Sequence, residues 1–336
     1  MIKLSIIVPV YNVEKYIRPC IESIFMQEID DNTFEMIIVN DGTKDRSMEM
    51  IADIINQHDN ITVINQENQG LSVARNNGIA QAKGEYIFMP DSDDLVLDNS
   101  LPPLLEIALR TKVDMVAADF LIMNDEEIAN FHGVYQNNIT IKKKTGKQLF
   151  LEDLNPHQCY VWRYLFRRKF ILDNHISFFP GIAYQDVPFT HMCCLKANIC
   201  IRTSRLLNIY RKRKASATSV FNVKKGKDFC IAIAKTWELT KNDNPYHIQQ
   251  KLKEDIFISF STMIFQTSYL KTKSERLEII DFIKQLIPDI SFTNSFRQKF
   301  YTFFYKHMPH GLIHIRYLYR KFFEETILPF YRRYLK

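Results

Sequence analysis

Four short apolar runs, separated by segments of helical periodicity within the first ninety residues, constrain this chain more than any other feature. Lys3 to Val10 reads as a first buried strand. Tyr11-Asn12 ends it, with Asn12 placed to cap a helix over residues 13–28 in which Val13, Ile17, Cys20, Ile21 and Ile24 share one face. Phe34 to Asn40 repeats the strand pattern and ends in Asp41-Gly42, and Asp45 is placed to cap a second helix through Ile51, Ile54 and Ile55. Ile61 to Ile64 is a third strand, and Asn68-Gln-Gly70 turns into a helix containing Ala74, Arg75, Asn76 and Gly78. Tyr86 to Met89 is the fourth strand. Strand and helix alternating at ordinary loop lengths dictate an α/β fold: a Rossmann-like, mainly parallel sheet with helices on both faces.

In such a sheet the carboxyl ends of the strands line one edge, where open α/β sheets bind ligands. Asn12, Asp41, Asp91 and Asp93 all fall there. Asp91 and Asp93 stand two apart in a turn, a spacing that lets both converge on one hard divalent cation shared with substrate phosphates. The same tetrapeptide also reads as a polar turn leading to the next helix. Asp41 can accept hydrogen bonds from a base or ribose, or serve only its Asp-Gly turn. Arg75 sits near the positive end of its helix, where it can hold a diphosphate or simply face solvent.

The alternation is matched by motifs. Val8-Pro-Val-Tyr-Asn12, Val39-Asn-Asp-Gly-Thr43, Asn68-Gln-Gly-Leu-Ser72, Ala74-Arg-Asn76 and Asp91-Ser-Asp-Asp94 occur in one order and spacing. Together they resemble the glycosyltransferases of family 2, closely over residues 3 to 120 and more weakly to about 215. The resemblance implies the GT-A fold, a nucleotide-sugar donor, with a UDP-sugar favoured, and Mn2+ or Mg2+ as cofactor. It implies donor-side roles for Pro9, Tyr11, Asn12, Asp41, Arg75, Asp91, Ser92 and Arg211, and metal binding by Asp93. Two positions depart from the family pattern. Thr43-Lys44 stands where Ser-Thr is frequent, and Pro90 stands where an apolar strand residue is usual, so the backbone before the carboxylates is expected to differ.

The second carboxylate element lies farther on. Pro180-Gly-Ile-Ala-Tyr-Gln-Asp186 precedes an apolar helix over 187–197 and resembles the family's Glu-Asp element, whose Asp is the base in inverting members. Asp186 is therefore the expected catalytic base, accepting the proton of the attacking hydroxyl. Gln185 replaces the usual Glu and removes one charge beside it. A helix cap is the simpler alternative for Asp186. Val161 to Arg168 mixes aromatics with arginines, either below an acceptor pocket or as core packing around Trp162, Leu165 and Phe166. Residues 124–138 read as a loop or hairpin and Lys142-Lys-Lys144 as a solvated loop. Asn208 to Arg211 resembles the family's closing strand. A basic loop follows, whose Arg211, Arg213, Lys214 and Ser216 can fold over a diphosphate. His191 is a candidate extra metal ligand, although a lone helical histidine is commonly structural.

Two domains are expected: a donor-binding and catalytic domain over 1–218, and a helical region over 219–336. The net charge of +6 is concentrated at the end of the chain, where residues 291–336 hold nine Lys/Arg against two Glu. Those basic residues are interleaved with aromatics, the composition of helices lying on an anionic membrane surface, although an inward-packed bundle fits as well. No nucleic-acid motif accompanies them, so nucleic acid is not an expected partner. Cys20, Cys159, Cys193, Cys194, Cys200 and Cys230 lack paired spacings and read as reduced, mostly buried thiols. The apolar N-terminus is too short for a secretory leader, and no run reaches the length of a membrane span. The expected location is cytoplasmic, peripheral on the inner face of the membrane. The expected acceptor is a lipid-linked saccharide on the way to a capsule, exopolysaccharide or O-antigen. A catalytically dead scaffold of the same fold and a sugar nucleotidyltransferase are the rival readings. The latter normally needs a glycine-rich phosphate loop, which Tyr11 to Lys15 does not provide.

Overall fold

Alternation along the apolar runs decides which helix each face of the sheet receives. In the computed structural model, which describes residues 1–134, 136–213 and 220–324, the first half runs in β-α-β order. Its elements are β1 (Leu4–Val10), α1 (Ile17–Phe25), β2 (Phe34–Asn40), α2 (Ala52–Gln57), β3 (Ile61–Asn65), α3 (Leu71–Gln81) and β4 (Tyr86–Phe88). Every residue of β1 is buried, as a central parallel strand requires. Leu4, Ile6, Val8 and Val10 enter one core with Ile17, Cys20, Ile21 and Ile24 of α1. Ile7 points the other way, toward α3, and a Cβ on Gly78 would lie 2.3 Å from its Cγ2. That absent Cβ lets α3 settle against β1 and β2. Helices cover both faces, as the alternation predicts.

The remaining elements of this unit are β5 (Leu95–Val96), α4 (Leu101–Thr111), β6 (Met115–Met123), α5 (Asp125–Ala129), β7 (Ile141–Lys144), α6 (Gly146–Glu152), β8 (Tyr164–Arg167), α7 (Arg168–Asp173), α8 (Asp186–Lys196) and β9 (Cys200–Arg211). The sheet order is β3-β2-β1-β4-β8-β6-β9-β5, with β7 also paired to β9. β1 pairs in parallel with β2 and β4, and β2 with β3. β8 enters antiparallel between β4 and β6, so the sheet is mixed beyond β4. The compact unit built on it comprises Met1–Leu154, Gln158–Gly181 and Gln185–Ser216.

Several local expectations are corrected. The first helix starts at Ile17, because Asn12 takes a left-handed backbone (φ 53°) and residues 13–16 form a turn instead. Asn12 therefore caps no helix; its N–H donates to Thr43 Oγ1 at 2.8 Å. Asp45 does not cap the second helix either. Its carboxylate accepts from Glu14 N at 2.9 Å and from the Ser47 hydroxyl at 2.6 Å, tying two turns together. Lys142–Lys144 is a strand paired antiparallel to β9; the side chains of Lys142 and Lys143 stay in water, while Lys144 turns to Glu152 and Asp153. Residues 125–129 form a short helix with a complete capping box from Asn124 and Glu127.

The second unit comprises Asn155–His157, Ile182–Tyr184 and Ala217–Lys336. Its helices are α9 (Val223–Glu238), α10 (Tyr246–Thr267), α11 (Lys273–Leu286), α12 (Phe296–His307) and α13 (Pro309–Phe322). Asn222, Thr272 and Ser295 cap α9, α11 and α12 through their side chains. Ile248, Leu252, Ile256 and Phe260 of α10 are fully buried or nearly so, as are Ile279, Ile280 and Ile283 of α11. The buried Tyr305 hydroxyl donates toward the Ile283 and Ile287 carbonyls (3.0 and 2.7 Å), which satisfies its polar end. Among the described residues no helix is long and apolar enough to cross a membrane.

Candidate active site

β4 stops at Phe88, and Met89-Pro90 carries the chain off the sheet; proline offers no N–H to continue the ladder. The turn that follows is closed by Asp94 N donating to Asp91 O at 3.1 Å. It gathers Asp91, Asp93 and Asp94 so that one oxygen of each lies within 4.8 Å of the others. Three carboxylates this close repel one another unless cations intervene.

Arginines from two directions answer that repulsion. Arg75 of α3, 2% exposed, pairs with Asp91 Oδ1 at 2.5 Å. Its guanidinium lies 5.3 Å over the ring of Phe178, whose backbone is clamped on both sides by the Asn76 amide at 2.8 and 2.9 Å. Arg213 Nη2 reaches Asp93 Oδ2 at 2.5 Å. Arg211, at the end of β9, is engaged elsewhere: its N–H donates to Asp94 Oδ1 at 2.8 Å and its Nη1 pairs with Asp125 at 2.7 Å. Arg211 and Arg213 both lie over the ring of Tyr16, at 5.2 and 4.8 Å. Burial and the neighbouring acids hold the Asp94 carboxyl well above the usual range, and among the described residues its Oδ2 has no hydrogen-bond partner. Asp91 is raised by burial as well, against the pull of Arg75.

An oxygen-only donor set, an orphaned buried carboxylate oxygen and a cation already beside Asp93 fit a hard divalent ion such as Mg2+ or Mn2+. His191 does not belong to this set. It is fully buried in α8, with Nδ1 at 2.8 Å from the Val187 carbonyl and its ring edge-on to Phe150.

Asp186 is the first residue of α8. Burial raises its pKa to about 6, opposed by Arg75 and by N–H groups of its own turn, while Asp91 pushes it further up. The same two residues that define the β4 site thus also act on Asp186. The neighbouring Gln185 is buried, and its Oε1 has no partner among the described residues. Beside this centre Tyr160, Trp162 and Tyr210 stack with centroids 4.7 to 5.8 Å apart. Trp162 itself is core, 1% exposed, while Tyr160 and Tyr210 keep part of their surface.

The other anticipated residues are spread along the same edge. Pro9 is buried in β1, Tyr11 is 44% exposed and Ser92 lies buried inside the carboxylate turn. Asp41 is 3% exposed, and its carboxylate is fully engaged by one loop. Oδ1 accepts from Gln66 Nε2 and Gln69 N, both at 2.8 Å. Oδ2 accepts from Gly70 N at 2.9 Å and Asn68 Nδ2 at 3.3 Å. Gly70 aims that N–H from φ 86°, a conformation glycine adopts freely. Sequence reasoning gave no role to Asp94, Asp125 or Tyr16. Asp94 was visible as the third acid of its motif; the other two become neighbours of the site only through folding. Lys214 and Ser216 lie outside the described residues.

Comparison with known proteins follows this geometry. The profile described as Glycosyl transferase family 2 matches residues 5–174. An uncharacterized glycosyltransferase of Bacillus subtilis, EpsJ, is 36% identical over 219 residues, covering 65% of this chain and 63% of its own length. Residues 1–349 of Staphylococcus aureus TarS, solved in complex with UDP-GlcNAc, superpose with a TM-score of 0.76 at 21% identity over 95% of this chain and 92% of that one. A mannosyltransferase of Pyrobaculum calidifontis, in complex with GDP-Man and Mn2+, gives a TM-score of 0.54 at 12% identity, covering 95% and 88%. These structural likenesses establish the GT-A fold.

Proposed function

The chain belongs to glycosyltransferase family 2, and from that premise we propose that it transfers a glycosyl group from a nucleoside diphosphate donor to a saccharide hydroxyl, with inversion. The observation that carries this reading is the convergence of three strand-end carboxylates with Arg75 and Arg213, electrostatically joined to the raised Asp186 carboxyl. We assign the reaction to residues 1–218 and read 219–336 as a second region, whose described helices lie between Val223 and Phe322.

Asp93 and Asp91 would hold Mn2+ or Mg2+, which when bound would neutralise the donor diphosphate. Arg75, fixed by Asp91 and the Phe178 ring, presents a positive group that cannot turn away. Arg213 pairs with Asp93 Oδ2 and would compete with a bound ion for that oxygen. Displaced by the ion, it would be free to pair with the diphosphate. Asp186 takes the proton of the acceptor hydroxyl as that oxygen bonds to the anomeric carbon, while the bond to the diphosphate breaks and its electron pair leaves on phosphate. A base pKa of about 6 leaves the carboxylate ionised near neutrality yet more basic than an ordinary aspartate. Tyr160 and Tyr210 offer ring faces for the acceptor sugar, which we assign to a lipid-linked saccharide of a cell-surface polysaccharide. The UDP-GlcNAc complex of TarS makes that donor the first to test.

The test is nucleotide release from a panel of UDP- and GDP-sugars with Mn2+, Mg2+ or EDTA. Metal-dependent release from one donor, lost in Asp93→Ala and Asp186→Asn, is the expected result. Donor binding without release at any metal concentration or with any acceptor would leave a scaffold, and absence of donor binding would overturn the reading.

A further inference from the structure

From Phe296 to Phe323 the sequence holds Arg297, Lys299, Lys306, Arg316, Arg320 and Lys321 and no aspartate or glutamate. α12 and α13 keep this run at the surface. On α12, Phe296 is 85% and Phe303 53% exposed, and exposed Lys299 and Lys306 recur on the same side of the helix. On α13 and the residue that follows it, Ile315, Leu318, Tyr319, Phe322 and Phe323 are between 42% and 60% exposed. Their spacing of three and four residues makes them one continuous stripe. The inward side of the same helix is Leu312 and Ile313, both 2% exposed, so the stripe is a second apolar face that folding leaves in water. Arg316 and Arg320 lie over Phe265 of α10 and Tyr269 just beyond it, at 4.8 and 4.6 Å, two rings that are themselves exposed.

We propose that this face of α12 and α13 docks onto an anionic lipid bilayer. Its aromatic and aliphatic side chains would enter the headgroup boundary, and its lysines would meet lipid phosphates. Charge selects this occupant over a second copy of the chain. A homotypic contact would press this basic run against itself, and Glu324, the acid that follows it, is already paired with Arg320 at 2.8 Å. A bilayer supplies both missing halves, an apolar layer and negative charge. α13 is 14 residues and carries three Lys/Arg, so it lies along the interface and does not span it.

The experiment is flotation of the full chain with phosphatidylcholine vesicles, with and without phosphatidylglycerol, at low and high salt. Light scattering and circular dichroism on each variant report assembly and fold. Wild type is expected to float with anionic vesicles and to bind them less at high salt. Lys299→Gln and Lys306→Gln are each expected to lower partitioning about fivefold on anionic vesicles only. Leu318→Ser combined with Phe322→Ser is expected to lower it on the order of tenfold or more. Both sites are exposed, so the helical spectrum is expected to persist. Failure of folded wild type to float, or equal partitioning of these variants, would overturn the proposal. So would a concentration-dependent dimer that Leu318→Ser dissociates, which would assign the face to a second copy.

Discussion

Asp41 and the Asp91–Asp94 turn stand at the ends of two strands of one parallel sheet, and their carboxylates have opposite surroundings. Asp41 is met by four neutral donors of one loop, two of them backbone N–H groups, and both of its oxygens are satisfied. The Asp91–Asp94 turn is met by arginine side chains from remote segments, and Asp94 keeps an oxygen with no partner among the described residues. Two backbone N–H groups and two side-chain amides of that one loop satisfy the Asp41 carboxylate. A carboxylate cluster answered by arginine side chains, and under-satisfied at Asp94, leaves room for a ligand. Position on the sheet edge is therefore insufficient to identify a donor-binding acid; the identity of its partners decides.

The largest expected effect tests the under-satisfied side. Asp93→Ala should lower donor turnover by about three orders of magnitude or more, since a metal's charge stabilisation is worth several kcal/mol. The thermal midpoint should hardly change, because removing Asp93 also relieves repulsion within the cluster. Asp186→Asn comes next, with a loss of about 10²–10⁴ in transfer rate and donor binding retained in calorimetry. In wild type, kcat/KM should fall as pH drops through about 6, where the base becomes protonated, and stay level above it. A flat profile across that range would remove Asp186 from the role.

Asp41→Asn sharpens the contrast from the other side. It should cost roughly 1.5–3 kcal/mol of stability, the worth of hydrogen bonds to a charged group, while lowering turnover less than about tenfold. If turnover collapsed with the thermal midpoint unchanged, Asp41 would be a donor contact and the comparison would fail. The smallest effect concerns Arg213. Removing it as Arg213→Ala should tighten Mn2+ binding several-fold without donor, read by electron paramagnetic resonance, and raise the donor KM. Unchanged Mn2+ affinity would show that the Asp93 pair does not compete with the ion.

Much of this architecture was legible because burial on both faces of a parallel strand leaves a continuous apolar run, and β1, β2 and β4 are such runs. β7 was not legible. Ile141–Lys144 is an edge strand whose Lys142 and Lys143 face water and whose Lys144 pairs with Glu152 and Asp153, so its sequence carries charge and its pairing with β9 carries the structure. Asn12 and Asp45 have the residue types of helix caps but spend their groups on tertiary contacts, Asn12 N–H on Thr43 and the Asp45 carboxylate on Glu14 N. Arg211 and Arg213, two residues apart in one basic segment, look alike in sequence; folding turns one onto Asp125 and the other onto Asp93.

The sequence by itself determined the α/β alternation, the placement of polar residues at strand ends, the family, and the acid-free aromatic run at the end of the chain. Those properties reside in local pattern and composition. Only the tertiary structure decided which acids are saturated, that Asp186 shares its electrostatic surroundings with Arg75 and Asp91, and that the α13 stripe faces water. Each of those depends on side chains distant in sequence, and on desolvation, which exists only once the chain has closed around them.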